Sequence, residues 1–108
     1  MINAKEELLG TLERAKSSIK CATLTVGREY WEEATKNIIN LKEGYSKEEY
    51  EEFLNRLDFE YDSGYGGQEL YGIVWLMEEN TWLSRGEYDG SEWWEYRECP
   101  VVPDELKA

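Results

Sequence analysis

The sequence contains no histidine, only two cysteines and two prolines, and half as many basic as acidic residues. The absence of histidine excludes imidazole acid–base catalysis and the common serine–histidine pairs. Cys21 and Cys99 lie far apart without the short spacing of zinc ligands, and we expect both to be reduced thiols. These shortages predict a protein that is not an enzyme and that holds no cofactor or metal.

Basic charge and long apolar segments are also scarce. The chain has 12 Lys and Arg residues and 24 Asp and Glu residues, which gives a formal net charge of −12. Direct binding of nucleic acid is disfavoured, because that binding depends on basic patches that release counterions. No apolar run approaches the ~18 residues of a membrane span, and the polar N-terminus lacks the pattern of a signal peptide. We therefore expect a cytoplasmic protein that binds neither nucleic acid nor membranes.

The residues that are present suffice for one folded domain. The chain has 108 residues, of which 41% are hydrophobic and 14% aromatic, so it can bury a core without disulfide support. The acidity is uneven along the chain. Residues 1–42 carry six acids and seven bases, whereas residues 43–108 carry eighteen acids and five bases. A basic partner protein is the electrostatic complement of such a chain.

Sequence periodicity predicts a single α+β domain over residues 1–108. The expected architecture is an antiparallel sheet of five to six strands, ending in a meander of hairpins, packed with two helices. Residues 28–42 favour a loop followed by a strand in "TKNIINLK", the alternative being a helix. Helices are predicted over residues 4–17 and 47–57, each after a capping pattern: Asn3 with Glu6, and Ser46 with Glu49.

The segment "RGEYDGSEWWEY" at residues 85–96 predicts a β-hairpin. Asp-Gly between two alternating segments favours a tight turn at Asp89 and Gly90. A two-residue turn fixes the cross-strand neighbours: Tyr88 with Ser91, Glu87 with Glu92, Gly86 with Trp93, Arg85 with Trp94, and Leu83 with Tyr96.

The two faces of this hairpin differ in composition. The pairing of Glu87 with Glu92 places like charges together, which Arg85 can relieve while it stacks on Trp94. A paired-carboxylate enzyme site is the alternative use of these two acids, and solvated acids near a hairpin tip are the favoured interpretation. We expect one face to be exposed: Leu83, Arg85, Glu87, Glu92, Trp94 and Tyr96. We expect the other to be buried, with Trp93 over Gly86: Trp82, Ser84, Gly86, Tyr88, Ser91, Trp93 and Glu95.

A second acidic surface is predicted upstream of this hairpin. If "DFEYD" is a strand, Asp58, Glu60 and Asp62 form a row of like charges on one side of it, about 6.6–6.8 Å apart. A calcium loop is the weaker alternative, because Ser63 stands where such a loop has glycine and the next segment is β-like. The preceding helix extends the surface with three exposed acids: Glu48, Glu51 and Glu52. Charge held this regularly can imitate the phosphates that basic proteins recognise.

Two segments, "YDSGYGGQELYGIVWL" and "TWLSRGEYDGSEWWEYRECPVVPDEL", resemble a family of small acidic proteins encoded by bacteriophages and prophages. The resemblance covers roughly residues 43–104 and supplies no catalytic residues. It implies an accessory protein of a mobile element acting in the bacterial host cytoplasm. In size and charge the chain is also similar in type to phage anti-defence proteins, including anti-restriction and anti-CRISPR inhibitors.

These observations predict a non-enzymatic phage protein that binds a basic, nucleic-acid-handling host defence protein, as a mimic of nucleic acid. Its acidic surface would comprise Glu48, Glu51, Glu52, Asp58, Glu60, Asp62, Glu87 and Glu92. Trp94 and Tyr96 would be aromatic anchors, because aromatic residues often dominate interface energies. The alternative is an immunity or antitoxin protein that neutralises a basic nuclease toxin through the same surface.

Overall fold

The computed structural model describes residues 1–27, 38–61, 69–88, 91–100 and 102–107. Two α-helices and seven strands lie within them. The helices are α1 (Ala4–Ala15) and α2 (Lys47–Arg56). The strands are β1 (Ile2–Asn3), β2 (Ile19–Val26), β3 (Ile38–Leu41), β4 (Glu60–Tyr61), β5 (Leu70–Leu76), β6 (Thr81–Tyr88) and β7 (Ser91–Glu98). A short 3-10 helix spans Asp104–Leu106.

Five of these strands form one antiparallel sheet in the order β3-β2-β5-β6-β7, and β1 pairs with β4 in a small second sheet. The predicted α+β class is therefore confirmed. The returning strand predicted within residues 28–42 is confirmed as β3, whereas residues 28–37 lie outside the described part. β5 is the central strand, as its continuous apolar sequence predicts.

Capping residues fix where both helices begin. The Asn3 side chain accepts a hydrogen bond from the Glu6 backbone N–H at 3.0 Å, which confirms the first predicted cap. At α2, Ser46 and Glu49 form the predicted reciprocal capping box. The hydrogen bonds from Ser46 lower the pKa of the Glu49 carboxyl. These caps place both helices in register with the core.

Both helices cover the same face of the sheet. Leu8 and Leu12 of α1 and Phe53 of α2 join one buried cluster with inward residues of the strands, including Leu24 and Val74. α1 contacts β7 at one edge of the sheet, and α2 contacts β3 at the other. Strand residues alternate between the two faces of a sheet, and both described helices pack on one of them. The opposite face therefore has no helix over it in the described part of the chain. It is called the outer sheet face here.

The hairpin of β6 and β7 has the predicted register but the opposite orientation. All five predicted cross-strand pairs are present. However, Leu83 is fully buried, whereas Trp93 is 37% exposed, so the predicted assignment of buried and exposed faces is wrong. The neighbouring strand is the cause, because Leu83 pairs with the core residue Val74. Trp93 does lie over Gly86, but on the outer sheet face.

The predicted strand over residues 58–62 is also shorter than expected. β4 contains only Glu60 and Tyr61 within the described residues, and Asp62 lies outside them. Asp58 still belongs to the turn after α2, since its backbone N–H bonds to the Asn55 carbonyl. The prediction that Asp58 belongs to a row of charges along one strand is therefore wrong.

Candidate functional site

Glu48, Glu51 and Glu52 form an exposed face of α2, called the acidic helix face. Helical spacing places Glu48 beside both other glutamates, because residues three and four positions apart are neighbours on a helix. Among the described residues, no ion pair involves any of the three. Each like-charge neighbour destabilises a helix by about 0.2–0.5 kcal/mol. Glu48 lies in the first turn of α2, where the helix dipole favours an acid, but the described residues supply no ion pair that offsets the repulsion among the three.

The core holds the acidic helix face in place. Phe53 and Leu57 are buried on the opposite side of the helix, and Tyr50 stacks on Tyr45 with ring centroids 5.5 Å apart. The Tyr45 hydroxyl donates to the Ile19 carbonyl of β2 at 2.5 Å. The three carboxylates therefore project from a helix that is anchored to the sheet.

A groove of about 430 Å³ separates α2 from the end of β3. Glu48 and Glu52 line it together with Lys42 and Arg56. A basic side chain that enters the groove can reach two carboxylates of the acidic helix face. Asp58 and Glu60 follow the helix and are also exposed, although the Asp58 carboxylate accepts a hydrogen bond from the Asn3 side chain at 2.9 Å.

A buried ion pair joins Arg85 to Glu92. The Arg85 Nη2 atom lies 2.7 Å from Glu92 Oε1, and the two side chains are 2% and 0% exposed. The backbone N–H groups of Glu69 and Leu70 donate to the two Glu92 oxygens at 2.7 and 3.0 Å. Arg85 also donates from Nε to the Leu70 carbonyl, and its guanidinium lies 4.7 Å from the Trp94 ring centroid. This is the predicted stacking, found in the core.

Two residues that sequence reasoning missed complete this buried network. The Tyr61 hydroxyl accepts from Arg85 Nη2 at 2.9 Å and donates to Glu7 Oε1 at 2.5 Å. Arg85 Nη1 lies 3.6 Å from the same Glu7 oxygen. The network thus ties α1, β4, β6 and β7 together. Burial, and then the hydrogen bond to Glu7, raise the pKa of Tyr61 well above the ordinary tyrosine value.

This pKa shift predicts a loss of stability at alkaline pH. Above about pH 10 the unfolded chain loses its tyrosine proton while folded Tyr61 keeps it, so the unfolded state is favoured increasingly as pH rises. The stability advantage of the native protein over Tyr61→Phe should therefore shrink between about pH 9 and 11. Urea unfolding of both proteins across this pH range measures the difference in their free energies of unfolding, in which the contributions of the other titrating groups cancel. A constant difference would contradict the prediction.

The predicted site residues divide into separate groups. Glu92 and Trp94 are buried, so the exposure that was expected of them as partner-binding residues is wrong: Glu92 is enclosed by the ion-pair network, and Trp94 packs beneath Arg85. Glu87 and Tyr96 are exposed. Glu87 on β6 and Tyr96 on β7 lie toward the α1 edge of the sheet, three and four strand spacings from β3 at the α2 edge, or about 14 and 19 Å. Among the predicted site residues that the structure describes, the three helix acids are brought together; Asp58 and Glu60 follow α2 in the chain, and Asp62 lies outside the described part.

The outer sheet face is a second exposed feature, and sequence reasoning assigned its hairpin aromatics to the core. Three tryptophans lie on it: Trp75, Trp82 and Trp93. The signal was available in "LYGIVWL", because β5 is apolar on both faces while two helices can cover only one.

No protein-family model, curated protein or solved structure matches this chain in the comparisons made. Among the described residues, no group of three or more Cys, Asp or Glu side chains is placed to hold a metal ion. No helix in the described ranges is long and apolar enough to cross a bilayer. The function of this chain must therefore be inferred from the geometry and charge of its exposed surfaces.

Proposed function

We propose that this chain is a non-enzymatic binding protein that engages a basic, nucleic-acid-handling host protein through the acidic helix face. One observation carries the proposal: three neighbouring carboxylates, with no ion-pair partner in the described part of the chain, project from a helix whose other side is held in the core. Rigid, closely spaced negative charge competes with nucleic acid for Lys and Arg on such a partner. A phage-encoded inhibitor of a host defence complex is the kind of protein that would use this surface.

The composition of the surface supports a protein partner over a small molecule. The adjoining groove is lined by exposed charged residues, including Glu48, Glu52, Lys42 and Arg56. Exposed charges of this kind contribute mainly to the rate and specificity of protein association. Because solvent screens them, the resulting affinity depends strongly on salt.

Neutralising the acidic helix face should weaken partner binding about tenfold at low salt. The triple variant Glu48→Gln, Glu51→Gln, Glu52→Gln removes three exposed charges, each worth about 0.2–1 kcal/mol in an interface. Nucleic-acid-binding proteins enriched from bacterial lysate on heparin serve as the probe. They are captured on the immobilised chain, identified by mass spectrometry, purified and titrated over a series of NaCl concentrations. Native binding should weaken as NaCl rises, and competing DNA should displace it.

A matched variant separates local charge from total charge. Glu78→Gln, Glu79→Gln, Glu105→Gln neutralises three exposed acids away from α2 and changes the net charge equally. This variant should retain native affinity. Equal loss in both triples, or affinity independent of salt, would refute the proposal. A nuclease toxin as the captured partner would favour the immunity-protein alternative over an inhibitor of host defence.

A further inference from the structure

The outer sheet face is an apolar surface with aromatic side chains from three adjacent strands. Tyr71 and Trp75 of β5 are 43% and 39% exposed, and Trp93 of β7 is 37% exposed. Trp82 of β6 pairs with Trp75 across the strands. Ile38 of β3 is also exposed on this side. These residues form one continuous face, because neighbouring strands hold them in register.

The size of this face suits a protein interface. Four strands of seven or eight residues and one of four, about 4.8 Å apart with about 3.3 Å per residue, give a sheet of roughly 20 by 25 Å that is shorter along β3. Exposed apolar patches beyond a few hundred Å² are uncommon on monomers and mark interaction sites. Two sheets that pack face to face at about 10 Å bury side chains over such an area.

Charge distinguishes the outer sheet face from the rest of the molecule. Two pairs of opposite charges lie near its edges in the described part of the chain. Arg97 Nη2 lies 2.6 Å from Glu95 Oε2 on β7. At the other edge, Lys20 Nζ lies 3.5 Å from Glu43 Oε1, beside Trp75. This face is therefore close to neutral in a chain whose net charge is −12.

We propose that a second copy of this chain covers the outer sheet face, forming a two-fold symmetric dimer through sheet-to-sheet packing. A neutral apolar face is compatible with itself, as a two-fold interface requires. In this arrangement the α2 helices lie in the two outer layers of a four-layer assembly. The spacing between layers places these helices about 30 Å from each other. The Debye length is about 8 Å at physiological ionic strength, so repulsion between the acidic helix faces is largely screened.

A highly basic partner is a poorer occupant of this face. The Glu95 and Glu43 carboxylates near its edges are already paired with Arg97 and Lys20, whereas the acidic helix face lies on the other side of the sheet. The dimer would leave that helix face exposed on both copies. Each dimer would then present two equivalent sites to the basic partner.

Sedimentation velocity over a concentration series tests the dimer. The native chain of 12.7 kDa should sediment with twice this mass at high concentration. Trp75→Lys should raise the dimer dissociation constant at least tenfold, because it places a charge in an apolar interface. The matched control Tyr96→Lys alters a residue that is 46% exposed on the helix side of the sheet, and it should leave the dimer intact.

A second variant guards against misfolding of Trp75→Lys. Thr23→Lys adds charge at an exposed position of the outer sheet face and keeps all the aromatic residues; it should also dissociate the dimer while the circular dichroism spectrum stays native. A native chain that is monomeric at every concentration, or a dimer that both outer-face variants leave unchanged, would overturn the proposal. Rising NaCl should maintain or tighten the dimer and weaken binding to the basic partner, so the two proposals fail independently.

Discussion

Replacing Glu92 by glutamine should lower the free energy of unfolding by about 3–5 kcal/mol, because it leaves the buried Arg85 charge without its partner. Arg85 is 2% exposed, so water cannot replace the lost carboxylate. The glutamine side chain also places an N–H donor against the backbone N–H groups of Glu69 and Leu70, which need the acceptors that Glu92 supplies. Among the described residues, the other carboxylate beside Arg85 is that of Glu7, whose oxygen lies 3.6 Å from Arg85 Nη1. Urea denaturation measures the change.

A control on the same strand shows whether burial is the cause. Glu98→Gln neutralises an exposed acid of β7 and should change stability by less than about 0.5 kcal/mol. The double variant Arg85→Met, Glu92→Leu removes both charges and fills their space with apolar side chains. It should recover part of the stability lost by Glu92→Gln, because it removes the unpaired Arg85 charge but leaves the Glu69 and Leu70 N–H groups without the Glu92 acceptor. Equal stability of Glu92→Gln and Glu98→Gln would contradict the buried-pair interpretation.

Local chemistry made most of the secondary structure predictable. The caps at Asn3 and Ser46 act over three residues, and the Asp-Gly sequence, which lies outside the described residues, predicts the register found between β6 and β7. Short-range patterns of this kind hold in any fold that contains the element. They therefore predicted both helices and the pairing of β6 with β7.

Which side of that hairpin is buried depends on contacts between distant parts of the chain. Counting charges on each face favours exposure of the side with Arg85 and Glu92. Its burial becomes favourable only when Tyr61, Glu7 and the backbone of Leu70 supply partners. No local pattern contains that information. The same reversal moved Trp94 out of the predicted binding surface and placed Trp93 at the outer sheet face.

The acidic site was partly predictable for a related reason. Glu48, Glu51 and Glu52 follow from helical periodicity and one capping box, so their exposure is a local property. Their separation from Glu87 and Tyr96 depends on strand order, which places α2 and α1 at opposite edges of the sheet. Strand order follows from long-range pairing, such as that of β2 with β5, and sequence periodicity does not determine it.

Gly72→Ala should destabilise the protein by about 2–6 kcal/mol, combining roughly 1–3 for backbone strain with 1–3 for overpacking. Gly72 has φ +132°, a conformation that residues with a Cβ atom rarely adopt. A Cβ atom there would lie 2.2 Å from the Thr23 carbonyl oxygen and 2.7 Å from the Leu24 Cα. Both are backbone atoms of β2, so relief requires β2 and β5 to separate. Urea unfolding of the purified variant measures the loss.

Gly86→Ala is the matched control, because this glycine also lies inside a strand of the same sheet. Its added Cβ would meet the Trp93 indole at 2.5 Å and the Glu95 carboxylate at 2.7 Å. Trp93 is partly exposed and can rotate away without breaking a strand pair, so we expect a loss of about 1 kcal/mol. Similar losses in the two variants would show that the approach of β2 to β5 at Gly72 is not the tight contact inferred here. We expect a much larger loss at Gly72, because the close pairing of β2 with β5 joins the α2 edge of the sheet, with its acidic helix face, to the α1 edge.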